Sequence, residues 1–495
     1  MEAVLIVHTY VIHSLNILCA QTCYNSTRGD DMKKGVMMQG FEWYLPSSPH
    51  LWKILRVNAY KLKKAGITAI WLPPAYKGAN GVNDTGYGVY DHYDLGEFNN
   101  KNTIRTKYGT KKEYLWCIKM FHLFGIDVYA DIVLNHLIGA DGMEQVIAYK
   151  VDAYHRHKVS KRKRVIRAST YFSFPSRHKY SDFIYNASHF TSVDYDASKH
   201  QKGLYLFKGK HFSENVDDEY DNYDYLMGAD LDYNNPEVVK EAINWGLWYK
   251  DITHLDGFRC DAIKHIDSCF YEHWINTMRQ HSKKELFSVG EYWGDIDHLC
   301  YYLKSTHFCM SLFDVPLHYH FYDASHSNGC YDMRELFNNT LVQRYDKYAV
   351  TFVDNHDTQP GQSLTSFIED WFKPQAYACI LLRQEGYPCI FYGDYYGIPH
   401  DHISSKKELL DKMMKLRRQY VEGTRHDYID NPDVIGWTYE TGLAVILTNS
   451  KGGTKRMFVG NQYKRMTDGK HPIDIVDGYG EFICDAASLN IYVKL

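Results

Sequence analysis

The sequence predicts a (β/α)₈ barrel carrying a β-rich insertion and followed by an antiparallel β-sandwich. Three observations predict it. Eight short apolar or β-branched runs each end in polar or acidic residues, and most follow a stretch with helical periodicity. One interval between runs is far too long for a single helix. After residue 416 the pattern changes to short alternating runs such as GLAVILT, RMFVG and SLNIYVKL.

The eight runs are VMMQGFEW (36–43), GITAIWLPP (66–74), GIDVYADIVLNH (125–136), HLDGFRCDA (254–262), LFSVGEYW (286–293), CMSLFDVP (309–316), AVTFVDNHD (349–357) and YPCIFYGD (387–394). Near-continuous apolar strands alternating with helices, as in EVVKEAINWGLWYKDI (237–252), argue for parallel strands buried on both faces. Eight such units favour a closed barrel over an open doubly wound sheet. The long interval between the third and fourth runs reads as an inserted subdomain. The expected organisation is an N-terminal signal or extension over 1–34, barrel over 35–134 and 238–416, insertion over 135–237 and β-sandwich over 417–495.

Composition narrows the function. Hydrophobic residues make up 45% and charged residues 23% of 495, the balance of a globular chain. A net charge of −4 gives no reason to expect a nucleic-acid partner. No glycine-rich phosphate loop occurs, so nucleotide binding has no support. The basic run HRHKVSKRKR (155–164) reads as a solvated hairpin face. The eleven cysteines include no CxxC pair and several sit in apolar runs, so free buried thiols are expected rather than a disulfide framework. MEAVLIVHTYVIHSLNILCA resembles a secretory signal core but lacks an early basic residue, which leaves secreted, cytoplasmic and vesicular placement open. It is too short and polar for stable membrane insertion. The sequons at Asn25, Asn83, Asn186 and Asn338 would matter only in a secreted chain.

In a barrel the chemistry sits at the C-terminal ends of the strands. Three runs end in carboxylates there: Asp261, Glu291 and Asp357. Arg259 and Asp261 stand two apart along a strand and share a face. A permanently charged guanidinium favours the ionised form of an adjacent carboxylate. An ionised Asp paired with a second carboxyl acting as acid is the requirement for retaining glycoside hydrolysis. Glu291, between Gly290 and the aromatic Tyr292 and Trp293, suits the acid. A second cluster, Asn135 with Asp224, Asp230 and Asp232 in YDYLMGADLDYNNP (223–236), offers hard oxygen ligands of the kind Ca²⁺ takes.

The segments DIVLNH (131–136), GFRCDAIKH (257–265), GEYW (290–293) and FVDNHD (352–357) resemble, in order, the four signature regions of glycoside hydrolase family 13. The likeness is greatest to bacterial liquefying α-amylases and extends through PPAYKG, GYGVYDHYDLGEF, NYDYLMGADLDY and DNHDTQPGQSL. The resemblance implies an α-amylase acting on starch, glycogen or malto-oligosaccharides as a monomer. It implies Asp261 as nucleophile, Glu291 as acid/base and Asp357 as the third carboxylate. His136 and His356 would hydrogen-bond the sugar beside the scissile bond, Tyr87 would stack on it, and Arg259 would keep Asp261 ionised. Lys264 and Trp293 would contact the leaving-group side. One structural calcium would be held by Asn135, Asp224, Asp230 and the His265 carbonyl. The liquefying enzymes carry further metals on Asp residues at the positions of Thr191, Ser213 and Asn234, and losing those carboxylates weakens a hard-cation site. One calcium is therefore expected to survive and the extra cluster to be absent. A glucanotransferase or oligosaccharide-specific hydrolase uses the same machinery and stays open. A non-catalytic binding scaffold is disfavoured because all three carboxylates are present.

Overall fold

The computed structural model describes residues 35–495; the signal-like segment and the sequon at Asn25 lie outside the described residues. Eight parallel strands close into a barrel: β1 (Met37–Gln39), β2 (Ala69–Leu72), β3 (Asp127–Ile132), β4 (Gly257–Cys260), β5 (Phe287–Gly290), β6 (Ser311–Phe313), β7 (Ala349–Phe352) and β8 (Tyr387–Phe391). Each strand pairs with its neighbours in sequence, and β1 pairs with β8 to close the ring. All eight lie inside the runs read from the sequence. Their buried, β-branched character follows from being covered on both sides, by barrel-core side chains within and by helices without.

The strand register positions the chemistry. Arg259 on β4 lies opposite Asp131 on β3 and Val289 on β5, so the first two point into the same layer of the barrel. Cys260 lies opposite Gly290, which places the next residues, Asp261 and Glu291, side by side just past the strand ends. A Cβ on Gly290 would stand 2.4 Å from Ile263 Cδ1, so the glycine permits the close approach of the chain after β4.

Between β3 and α-helix Pro236–Thr253 the chain forms a six-stranded sheet that includes the long hairpin Gly142–Val151 and Val159–Tyr171. This sheet joins the barrel mouth through its edge strand His136–Leu137, which continues directly from the end of β3. Beyond helix Lys407–Tyr420, a six-stranded antiparallel sheet and the strand pair Gly453–Phe458 and Tyr479–Cys484 make the C-terminal β unit, with a core of its own around Ile446, Met457 and Phe482. The nine cysteines among the described residues are all free, seven of them buried. No helix among the described residues is long and apolar enough to cross a membrane.

Asp314, Asp354 and Asp394, which follow β6, β7 and β8, serve structure. Asp314 caps helix Val315–His326 and also accepts from the backbone N–H groups of Leu341 and Val342. Lys373 is fully buried, 2.9 Å from Asp354 and in contact with Asp394, which also accepts from the Tyr377 hydroxyl. Asp354 follows β7 and starts the loop that carries Asn355, His356 and Asp357. The buried lysine thus clamps that loop to the strand beside it. Removing one member leaves uncompensated buried charge, so Lys373→Met is expected to cost about 3–5 kcal/mol. Denaturant unfolding monitored by tryptophan fluorescence checks it; a loss within experimental error would show that the clamp is dispensable.

Candidate active site

The site is assembled around Arg259, buried to within 1% exposure of its side chain. Its Nη1 donates to Asp131 Oδ1 at 2.8 Å and to Asp261 Oδ1 at 2.5 Å, and its Nη2 lies 3.1 Å from Glu291 Oε2. The guanidinium carbon stands 5.0 Å from the centroid of the Trp71 ring, which adds a cation–π contact. Asp261 and Glu291 therefore sit on adjacent nitrogens of one rigid planar cation.

Local backbone fixes both carboxyls. The Asp261 N–H donates to Ile132 O at 2.9 Å, and the Glu291 N–H donates to Cys260 O at 2.9 Å. Each residue thereby extends its strand by one more ladder bond. Ala262 then turns with φ +49°, a conformation costly for a residue with a Cβ and found where a site over-determines it. That turn aims its N–H at Glu291 Oε2, 3.0 Å away. The Trp293 indole donates to Glu291 Oε1 at 2.7 Å, so both oxygens of the carboxyl are engaged.

Burial dominates the electrostatics. It pushes the Asp261 carboxyl up to about 8, with Arg259 opposing and Glu291 and Asp131 adding to the rise. Asp357 is raised strongly by burial and by Glu291. Asp131 is raised by burial against the pull of Arg259. Asp131, Asp261 and Asp357 are thus all held above the ordinary carboxylate range around one guanidinium. Burial lowers His136 to about 4 and His356 well below its usual range, so both rings are neutral.

The other expected residues converge on the same mouth. His356 Nε2 lies 3.3 Å from Asp357 Oδ2, and its Nδ1 is 3.1 Å from Gln39 Nε2. The rings of Tyr87 and His356 stack at 5.1 Å, with Trp43 parallel to both at 5.9 and 6.0 Å, forming an aromatic wall. His136 Nε2 is 2.9 Å from the Tyr87 carbonyl, an acceptor, which puts the ring proton on that nitrogen. Lys264 donates to the Trp293 carbonyl at 3.3 Å and pairs with Glu219 at 2.8 Å.

Sequence reasoning passed over four members of this site. Asp131 accepts from Arg259, from the Tyr87 hydroxyl at 2.8 Å and from the Trp71 indole at 3.0 Å, all fully or largely buried. Its signal was present: a carboxylate in the middle of an apolar strand needs a buried partner. Trp43, Trp71 and Gln39 gave no comparable signal, because aromatics and amides at strand ends are ordinary packing. Asp256, just before β4, anchors the start of that strand by accepting from the Val128 N–H at 2.9 Å and pairing with His122 at 2.8 Å.

At the junction of barrel and inserted sheet, Asn135 Oδ1 and Asp224 Oδ2 are buried without a hydrogen-bond partner. Burial lifts Asp224 to about 7, with Asp232 adding to it, and raises Asp230 strongly, with Asp224 adding to it. Orphaned buried oxygens beside two mutually repelling carboxyls fit a hard cation. His265 turns its Nδ1 to the Tyr223 carbonyl at 2.7 Å, which orients the residue here. No group of three or more His, Cys, Asp or Glu among the described residues is arranged to hold a metal, so any site depends on Asn135 and backbone carbonyls. Thr191, one of the three positions that lack Asp, donates its hydroxyl to Asp230, and the neighbouring Asp232 is taken by Lys210.

Residues 59–427 match the family described as "Alpha amylase, catalytic domain". The chain is 49% identical over 481 residues to an alpha-amylase of Geobacillus stearothermophilus, covering 93% of this chain and 87% of that protein. It is 46% identical over 479 residues to the glucan 1,4-alpha-maltohexaosidase of Bacillus sp. (strain 707), covering 93% and 92%. Among solved structures, the alpha-amylase of Geobacillus thermoleovorans in complex with acarbose shares the fold, with a TM-score of 0.64, 17% identity, and 93% and 98% coverage.

Asp131→Asn removes a charge-assisted partner of Arg259 worth about 1.5–3 kcal/mol, so turnover is expected to fall roughly ten- to hundredfold. KM should change little, since Asp131 lies beneath the site. Steady-state kinetics checks this, and an unchanged kcat would show that Asp131 only packs.

Proposed function

The chain belongs to the alpha-amylase family of glycoside hydrolases, and from that premise we propose an endo-acting mechanism that cleaves internal α-1,4-glucosidic bonds of starch or glycogen with retention. The observation that carries this reading is Arg259 gripping Asp261 and Glu291 on neighbouring nitrogens. Two carboxyls so bridged suit the roughly 5–5.5 Å separation of retaining enzymes better than the wider gap that admits a water between them.

In the first step Asp261 attacks the anomeric carbon while Glu291, protonated, gives its proton to the departing glycosidic oxygen. A covalent glycosyl ester on Asp261 results. Glu291, now a base, takes a proton from water, which displaces Asp261 and restores the α configuration. Arg259 offsets the charge of Asp261 without donating a proton, because a guanidinium stays protonated. The Ala262 N–H and the Trp293 indole hold Glu291 toward the leaving group. Asp357 and the neutral rings of His136 and His356 hydrogen-bond the hydroxyls of the sugar being distorted, and Tyr87 lies along its apolar face. Lys264 contacts the next sugar on the leaving-group side.

Calcium belongs to the same reading. Asn135, Asp224, Asp230 and the His265 carbonyl would hold one ion, whose two positive charges offset the carboxyls buried there. Its role is to tie the inserted sheet to the barrel mouth, with no part in bond cleavage. An oligosaccharide-specific hydrolase is the second reading, supported by the 46% identity to a maltohexaose-forming enzyme.

Proton NMR of a fresh starch digest tests the reaction: α-anomeric oligosaccharides of mixed length are expected before mutarotation. β-Anomers would refute retention, and a single dominant product length would favour the second reading. Asp261→Asn should lower kcat by about 10⁴-fold or more, as loss of a nucleophile does. For the metal, elemental analysis should find one calcium per chain, and chelation should lower the unfolding midpoint reversibly. Asp230→Asn should abolish that calcium-dependent shift; three ions bound in the inserted sheet would contradict the single-site reading.

A further inference from the structure

The basic run of the sequence takes no part in the site described above. It forms the start of strand Val159–Tyr171, which lies at one end of the inserted sheet and forms its ladder with Gly142–Val151. Alternation fixes which side chains face out. Ile166, Ala168 and Thr170 are buried on the inner face, so Lys161, Lys163, Val165 and Arg167 are presented together on the outer one. Across the ladder Val165 lies opposite Ile147, Arg167 opposite Gln145 and Lys163 opposite Tyr149.

Two features of this face are unusual together. The cations of this face, Lys161, Lys163 and Arg167, form no ion pair among the described residues, in a chain whose net charge is −4. The nearby carboxylates are engaged elsewhere: Glu144 accepts from the Thr170 hydroxyl and the Ala187 N–H, and Asp196 from the Arg167 N–H and the Ser198 hydroxyl. Between the cations stand exposed aliphatics, with Val165 at 59%, Met143 at 48% and Ile147 at 40% exposure.

We propose that this hairpin face docks the enzyme peripherally on an acidic phospholipid surface. Three free cations on one flat face fit a plane of negative headgroups, which attract each nearby Lys or Arg and do so less as salt rises. The aliphatics decide between partners. A nucleic acid or a charged polysaccharide offers nothing to Val165, Ile147 and Met143, whereas the acyl boundary beneath lipid headgroups removes them from water. The face lies at the end of the sheet opposite His136–Leu137, the strand that meets the barrel mouth, so docking leaves the catalytic cleft open to glucan.

Sedimentation with vesicles of phosphatidylcholine, alone or mixed with phosphatidylserine, tests the proposal on the full chain. Binding about tenfold or more tighter to the acidic vesicles, lost at high salt, is expected. Lys161→Glu with Lys163→Glu should lower that binding at least tenfold. Val165→Ser with Ile147→Ser should lower it severalfold at unchanged charge. Both double variants should keep the wild-type kcat on soluble starch, which also shows that they fold. No preference for acidic vesicles overturns the proposal, and that comparison needs only the wild-type chain. Insensitivity to the aliphatic substitutions, or retention on RNA but not on vesicles, would overturn it in favour of a general polyanion site.

Discussion

A single buried guanidinium organises this active site. Arg259 can occupy the barrel interior only because Asp131 stands opposite it on the neighbouring strand and Asp261 and Glu291 close over it. A lone cation at that depth would be prohibitively costly, and so would three carboxylates without it. The charges therefore hold one another in place. The balance is incomplete: burial still holds Asp131, Asp261 and Asp357 above the ordinary carboxylate range around one permanent positive charge.

The same logic recurs away from the chemistry. Lys373 between Asp354 and Asp394 ties the loop of His356 and Asp357 to the end of β8. Lys77, fully buried, reaches Asp94 and donates to the carbonyls of Phe98 and Ile104, pinning the segment that follows β2. These loops carry or flank substrate-binding residues, and each is fixed by a buried ammonium rather than by apolar packing. Directional charge-assisted hydrogen bonds locate a loop more narrowly than dispersion contacts do. The junction of barrel and inserted sheet differs. Asp224 and Asp230 repel each other there, opposed by the buried Arg156 guanidinium, and the calcium proposed for this junction would supply the remaining positive charge.

Much of this was legible in the residues. All eight barrel strands fall within the apolar runs, because a strand covered on both faces must be apolar along its length. The pairing of Arg259 with Asp261 followed from their i, i+2 spacing, and the signature segments marked Glu291, Asp357, His136 and His356. Strand-end acids were less informative as a class. Asp314, Asp354 and Asp394 follow the same kind of apolar run as Asp261, yet they cap a helix or hold Lys373. Local sequence cannot separate these cases, since both require a carboxylate leaving a buried strand.

The sequence by itself determined the barrel, the β-rich insertion and the C-terminal sheets, because period and composition encode burial along the chain, while its signature segments pointed to Asp261, Glu291 and Asp357. Tertiary structure alone decided which charges meet. Asp131 became a partner of Arg259 through the register between β3 and β4, fixed by closure of the whole ring. Trp43 joined Tyr87 and His356 in one aromatic wall because β1 and the loop after β7 meet at the barrel mouth. The basic hairpin acquired a mixed cationic and aliphatic face only once its inner side chains were committed to the core. Such pairings depend on distances between residues far apart in sequence, and periodicity carries no information about them.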